Sequence, residues 1–566
     1  MKSQRFTLIS LIALTLWLTS CSRQEAPAEP QANATDTRNE LATRAGAPLF
    51  DGMGDHHHPI TASDPDAQRY FDQGLIIDFA FNHAESARSF RAAQTLDPEC
   101  AMCYWGEALA LGPNINVNSN GKVVMSDDQR TTAYAALQKA LALKDNASEV
   151  ERDYIDALAT RYNGDPSTPR EPLDKAYANA MRELHHKYPD DDDAASLFAE
   201  SMMNTMPWDY WLDPDNPKPL TVEVIDALET VLDRSPEHPL AIHLYIHAVE
   251  ASSQPDRAEA FADTLTDLVP GAGHLVHMPS HIYWRVGRYA DASEANVKAA
   301  GVDEAYIAAC NAQGFYPALY YPHNIHFLWA ASSMEGRSAV AIEAARKVSA
   351  NVRLEMIEEF PGVEFFNTIP LLALTRFGRW DDVLAEPQPP VNLNYSNAIW
   401  HYARATAYAN KGDLEAAHAE HAKLVPLRNA TNVTFLDSIN YPATMLLTIA
   451  DALVQGDIAM AEEKYDEAIA HFTLAVETEA DLPYTEPPFW YYPTRHTLGK
   501  ALLTAGDAAG AEDVYRADLE QYPRNGWALY GLIQSLETQD KDASEIQESF
   551  DRIWAQADVT LTASRF

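Results

Sequence analysis

Apolar residues recur every three to four positions along most of this chain, and scarcely any run alternates as a strand would. That spacing predicts helices, each with one buried face. Small residues, a large aromatic and a closing proline recur with the same order and spacing, as in a helical-hairpin repeat of about 34 residues. Near the start Gly74, Ile77, Ser86, Phe90, Ala93 and Pro98 hold the pattern's places, and near the end Leu498, Gly499, Leu502, Ala511, Tyr515 and Pro523 hold them. In both stretches the glycine precedes the proline by 24 residues. Small residues let two helices cross closely, the aromatic fills the gap beyond, and proline stops the second helix. Weaker copies stand at Gly456, Ala468, Phe472 and Ala475, and at Tyr408, Gly412, Asp413 and Ala417. Two further stretches, Gly287 to Ala292 and Arg376 to Asp382, carry only the turn. The expected fold is all-α, a solenoid of roughly six to eight helical hairpins with loop insertions.

The insertions are Leu111 to Asp127, Pro207 to Pro219 with Trp208 and Trp211, and the Pro-rich link Glu386 to Asn394. They divide the array into repeats over 50–385, with the histidine clusters, and repeats over 395–566. Residues 1–21 read as a secretion signal: Lys2 and Arg5, an apolar run from Phe6 to Leu18, then Leu18-Thr-Ser-Cys21. That ending resembles the bacterial lipobox, and the resemblance implies that Cys21 is lipidated after cleavage. Ser22 after the cysteine implies an outer-membrane lipoprotein, attached to the membrane only through its lipid. Residues 22–49 lack apolar periodicity and are expected to be a disordered tether.

Charge narrows the partners. The 82 acidic against 42 basic side chains give a net charge of -40, which repels phosphate backbones and argues against nucleic acid. Of the remaining cysteines, Cys100 and Cys103 lie in Cys100-Ala-Met-Cys103, where Tyr104 replaces the histidine of a haem-attachment motif. A disulfide or two buried thiols both fit; Cys310 is the third.

Twelve of the 19 histidines gather in short motifs, and this clustering is the main sign of chemistry. His56, His57 and His58 stand where the tether meets the fold, suited to ligation or to covering a cavity. His83 lies at the turn between the helices of the first hairpin. His243 and His247 are an i, i+4 pair on a helical stretch, the spacing of helical zinc sites, although Leu244 replaces the glutamate of His-Glu-x-x-His. His274, His277 and His281 follow, with Pro279 marking either one helix face or a new first turn. Pro322 places His323 and His326 at another helix start, and His496 lies in an aromatic run. In a solenoid, histidines recurring at helix starts converge on the concave side. The candidate metal ligands are therefore His83, His243, His247, His277, His281, His323 and His326, with Zn, Cu or Fe as the metal. Candidate binding residues are His56, His57, His58, His274, Glu85 and Glu486; Glu85, Glu107 or Glu486 would supply a carboxylate.

With these residues in view the chain resembles a widespread group of bacterial tetratricopeptide-repeat proteins, many of them exported. The resemblance rests on His56-His-His-Pro-Ile-Thr61, Phe81-Asn-His83, Cys100-Ala-Met-Cys-Tyr-Trp-Gly106, His277-Met-Pro-Ser-His-Ile282, Pro322-His-Asn-Ile-His-Phe-Leu328 and Glu486-Pro-Pro-Phe-Trp-Tyr-Tyr-Pro493. It covers the chain from about residue 50 onward and implies an all-helical repeat fold. Two functions follow. One is a scaffold holding a protein or peptide partner on its concave face, with a histidine-lined central pocket. The other is a metal-dependent hydrolase or oxidase. Nucleophilic catalysis is disfavoured, because no serine elbow or matched Cys and His signature occurs.

Overall fold

Phe90 shows how the first hairpin closes. A Cβ added at Gly74 would lie 2.8 Å from its ring, and one added at Gly106 in the next repeat 2.2 Å away. The ring therefore occupies the volume that two side chains would need, and three helices meet around it. The same device recurs on Tyr515, where a Cβ at Gly499 or Gly531 would lie 2.4 or 2.2 Å away, and on Phe472 opposite Gly456 at 2.2 Å. The computed structural model describes residues 32–116, 125–310, 312 and 315–566, and it is an all-α helical repeat. Among the hairpins are Pro65–Phe79 with His83–Leu96, Asn394–Lys411 with Leu414–Leu427, and Arg495–Thr504 with Ala508–Gln521. Gly412 closes one helix in the left-handed region, φ 79°, which glycine adopts without a Cβ penalty.

The helix Ala443–Ala461 is long and apolar enough to span a bilayer. Leu446, Leu447, Ile449, Leu453 and Val454 are nonetheless all fully buried in the repeat stack, so it is a core helix here.

Two expectations change. The stretch expected as a disordered tether, 22–49, carries the helix Ala32–Ala45 over its second half. Leu41 and Ala45, four apart on one face, are buried against the body, and Tyr70 donates its hydroxyl to the Ala47 carbonyl at 2.6 Å. The insertion 207–219 folds as a small antiparallel pair, Trp211–Asp213 with Asn216–Pro217. Cys100 and Cys103 are joined by a disulfide, and Cys310 is free, accepting from Arg88 at 3.2 Å. The signal segment with Cys21, and 117–124 of the Gly- and Asn-rich insertion, lie outside the described residues.

Three segments around the central histidines are tied by Asp303. The carboxylate accepts from the Tyr316 hydroxyl at 2.8 Å and from Asn324 Nδ2 at 2.7 Å, and it packs against Gly273, where a Cβ would meet it at 2.0 Å. Burial pushes this carboxyl up to about 7. An acid whose folded value is raised stabilises the fold fully below its unfolded value of about 4; that contribution is lost as pH rises through about 7. The urea midpoint of the native protein is therefore expected to fall relative to that of Asp303→Asn as pH rises from about 4 to 7. Identical slopes for the two proteins would refute this.

Candidate metal centre

The helix Pro239–Val249 begins with proline in its first turn, where the missing N–H costs nothing. It points His243 and His247 to one side. Opposite them, the helix Gly273–His277 passes through Met278, which keeps helical dihedrals, into Pro279–Arg285. Pro279 thus opens a new helix, and the His277 and His281 rings still meet. The helix Tyr321–Met334 supplies His323. His243, His247, His274, His277 and His281 are between 0 and 3 % exposed, so the rings converge inside the protein and not on an open concave face.

Five rings form a closed circuit. Centroids are 5.0 Å apart from His243 to His247, 5.2 Å on to His281, 4.8 Å to His277, 5.7 Å to His274 and 5.0 Å back to His243. His323 adds a sixth ring, 4.8 Å from His277.

In four of the rings hydrogen bonds fix which nitrogen carries the proton. His243 Nδ1 faces the Phe79 carbonyl at 2.7 Å. His247 Nδ1 and His281 Nδ1 face the two oxygens of Glu250 at 2.8 and 2.6 Å. His277 Nδ1 faces Asn296 Oδ1 at 2.7 Å, and the Asn296 amide is oriented by its own N–H, donated to the Ala292 carbonyl at 2.8 Å. A carbonyl or carboxylate oxygen only accepts, so all four Nδ1 atoms donate and all four Nε2 atoms present lone pairs. Nε2 of His277 then lies 2.9 Å from Nε2 of His281 and 3.1 Å from Nε2 of His323. Nε2 of His243 and of His247, and both ring nitrogens of His274, are buried without a partner.

Lone pairs facing one another at this range repel unless a cation sits among them. A proton on His243, His274, His277 or His323 is disfavoured, because burial first, then neighbouring rings, pushes these four well below the ordinary imidazole range. A metal ion fits: nitrogens about 2.0–2.1 Å from a tetrahedral ion lie about 3.3 Å apart. The outward N–H bonds to Glu250, Asn296 and a main-chain carbonyl are the supports that orient metal-bound imidazoles.

Glu250 and Asn296 were not among the sequence candidates. The signal for Glu250 was its position three residues after His247, on the same helix face. Burial pushes its carboxyl up, but the His281 and His247 rings hold it well below the usual range, so it is ionised. Above it the Tyr484 hydroxyl donates to Glu486 and lies 3.5 Å from Glu250. Burial and the nearby Glu250 charge push the Glu486 carboxyl well up, and Arg285 stands 4.0 Å from it. Glu486 therefore belongs to the roof of the site.

Four candidates are corrected. His326 is turned into an aromatic nest, stacked 5.2 Å from Trp329 and edge-on to Phe365 and Phe366, because its spacing from His323 places it toward the neighbouring helical layer. His83 bonds Asp78 at 2.9 Å and Asn114, and is separated from the cluster by Phe81, which touches both His243 and His274. Glu85 pairs with Arg88 and receives the Tyr306 hydroxyl at 3.2 Å. Glu107 likewise pairs with Arg91 and Gln94 at 2.6 and 2.7 Å.

His56 and His58 meet a different carboxylate. His58 Nδ1 lies 2.7 Å from Asp193, and His56 Nε2 and His238 Nε2 both lie 3.1 Å from it, while His57 bonds Asp72. His56, Asp193 and His238 are close enough to ligate. The hydrogen bonds argue otherwise: His238 Nδ1 accepts the Ala241 N–H at 3.2 Å, so its Nε2 carries the proton and has no lone pair to give. This group fastens the 56–58 strap to the body.

No family model matches the chain, and no curated protein does. Solved helical-repeat structures do align. A human IFIT1 dimer with m7Gppp-AAAA is 12% identical over 94% of this chain and 96% of its own, with a TM-score of 0.29. The P58(IPK) TPR domain is 10% identical over 84% and 98%, TM-score 0.21, and yeast Tom70 11% over 87% and 92%, TM-score 0.26. Scores this low say nothing of function.

Proposed function

We propose that this protein is a transition-metal-binding protein, in which a helical-repeat scaffold holds His243, His247, His274, His277, His281 and His323 around a buried metal centre. The carrying observation is the meeting of the His277, His281 and His323 Nε2 atoms at 2.9 and 3.1 Å, two of them with lone pairs committed inward by hydrogen bonds on the far nitrogen. A passive scaffold gives no reason for that arrangement. Imidazole donors suit Zn, Cu, Fe and Ni, and a metal held this way supplies Lewis acidity or redox chemistry. The repeat scaffold supports a second role, holding a protein or peptide partner, and the acidic surface disfavours nucleic acid as that partner. The signal segment and Cys21 support an exported, outer-membrane lipoprotein.

The test is plasma mass spectrometry on untagged mature protein purified without chelator. At least stoichiometric metal is expected in the native protein and in His326→Phe, and a large loss in His277→Ala/His281→Ala. Absence of metal from the native protein, even after incubation with Zn, Cu and Fe salts, would overturn the reading. So would equal metal in the double alanine variant.

A further inference from the structure

We infer that the centre holds two metal ions, one on His243, His247 and His274 and the other on His277, His281 and His323, and that both are copper. The inference rests on the metal-binding reading above and deepens it. The six rings fall into two groups of three, within each of which the ligand nitrogens lie within 4.8 Å of one another. Six nitrogens about 2.1 Å from a single ion would all lie within about 4.2 Å of one another and form one group. One ion leaves at least two buried lone pairs unused; two ions with three imidazoles each use all six rings.

Glu250 joins the halves. It takes the Nδ1–H of His247 on one oxygen and that of His281 on the other, so one carboxylate orients a ring in each group. The circuit of centroids passes between the groups at His247 to His281, 5.2 Å, and at His274 to His277, 5.7 Å. The two positions are therefore neighbours in one enclosure.

The donor set selects the metal. Paired iron centres in helical bundles draw on several carboxylate ligands, whereas the two groups of three here are built from imidazoles, and each oxygen of Glu250 faces a ring Nδ1. Two divalent zinc ions would bring four positive charges into a buried enclosure. Two monovalent copper ions bring half that charge, which lowers the cost of burying it. Monovalent copper also accepts three neutral nitrogen donors without further ligands.

The test titrates the metal-free full chain under argon with copper(I), supplied as its acetonitrile complex, against the chromophoric chelator bicinchoninate. Two equivalents are expected to be withheld from the chelator by the native protein. His243→Ala/His274→Ala and His277→Ala/His281→Ala should each withhold one, with helicity checked by circular dichroism. Ferricyanide then removes one electron from each copper: adjacent copper(II) ions couple magnetically and give a weak resonance in the native protein, whereas each double variant gives the full signal of one isolated ion. One equivalent in the native protein ends the pair but leaves the metal-binding reading standing. No binding of copper, zinc or iron ends both. Two equivalents of zinc that tenfold copper(I) fails to displace end the copper assignment.

Discussion

Replacing Glu250 by glutamine is expected to weaken metal binding by about 10–100-fold while leaving the helical content unchanged. The carboxylate receives two ring N–H groups, from His247 at 2.8 Å and from His281 at 2.6 Å. A glutamine has one oxygen and one amide group at the same places, so it satisfies one ring and opposes the other N–H with its own. The opposed ring must turn or move its proton to Nε2, and in either case its lone pair no longer faces the centre. Tyr484 and Arg285, which close over Glu250 and Glu486, keep their own contacts and should hold the backbone in place. The measurement is competition against a chelator of known affinity, with Glu250→Asp beside it. Glutamine and native proteins of equal affinity would show that Glu250 does not orient the rings.

Phe90→Ala is expected to lower stability by about 3–5 kcal/mol, because the ring fills the crossing of three helices and no neighbour can collapse into its volume. Phe90 is fully buried, and the two glycines that face it have no side chains to offer. The converse change, Gly106→Ala, places a methyl 2.2 Å from the ring and should cost about 1–3 kcal/mol by overpacking. In the Phe90→Ala background the methyl has room, so most of that cost should disappear. Urea unfolding of the four proteins completes the cycle. Additive effects of the two substitutions would mean that Phe90 and Gly106 do not share one space.

How far the sequence carries depends on the range of the interaction. The hairpins were legible because Gly74 and Phe90, or Gly499 and Tyr515, are sixteen residues apart in one repeating unit, and that spacing recurs. The pair His243 and His247 was legible for the same reason, one helical turn setting their common face. The helix Ala32–Ala45 was missed because Leu41 and Ala45 are too little apolar surface to register as a period, yet enough to dock once a body is there to receive them. His323 and His326 looked equivalent, being three apart on one helix start. Only the packing of Phe365 and Phe366 against one of them separates a cluster ring from a core ring.

The sequence alone therefore determined an all-α repeat array and the short spacings on which chemistry is built, because both are set by local geometry that repeats along the chain. The tertiary structure decided which rings share a centre, that Glu250 and Asn296 orient them, and that His238 at the strap carries its proton on the nitrogen facing Asp193. Those outcomes join segments such as 79, 243, 281 and 323, whose separations follow no period, and a tautomer is fixed by whichever acceptor the fold brings to the other nitrogen.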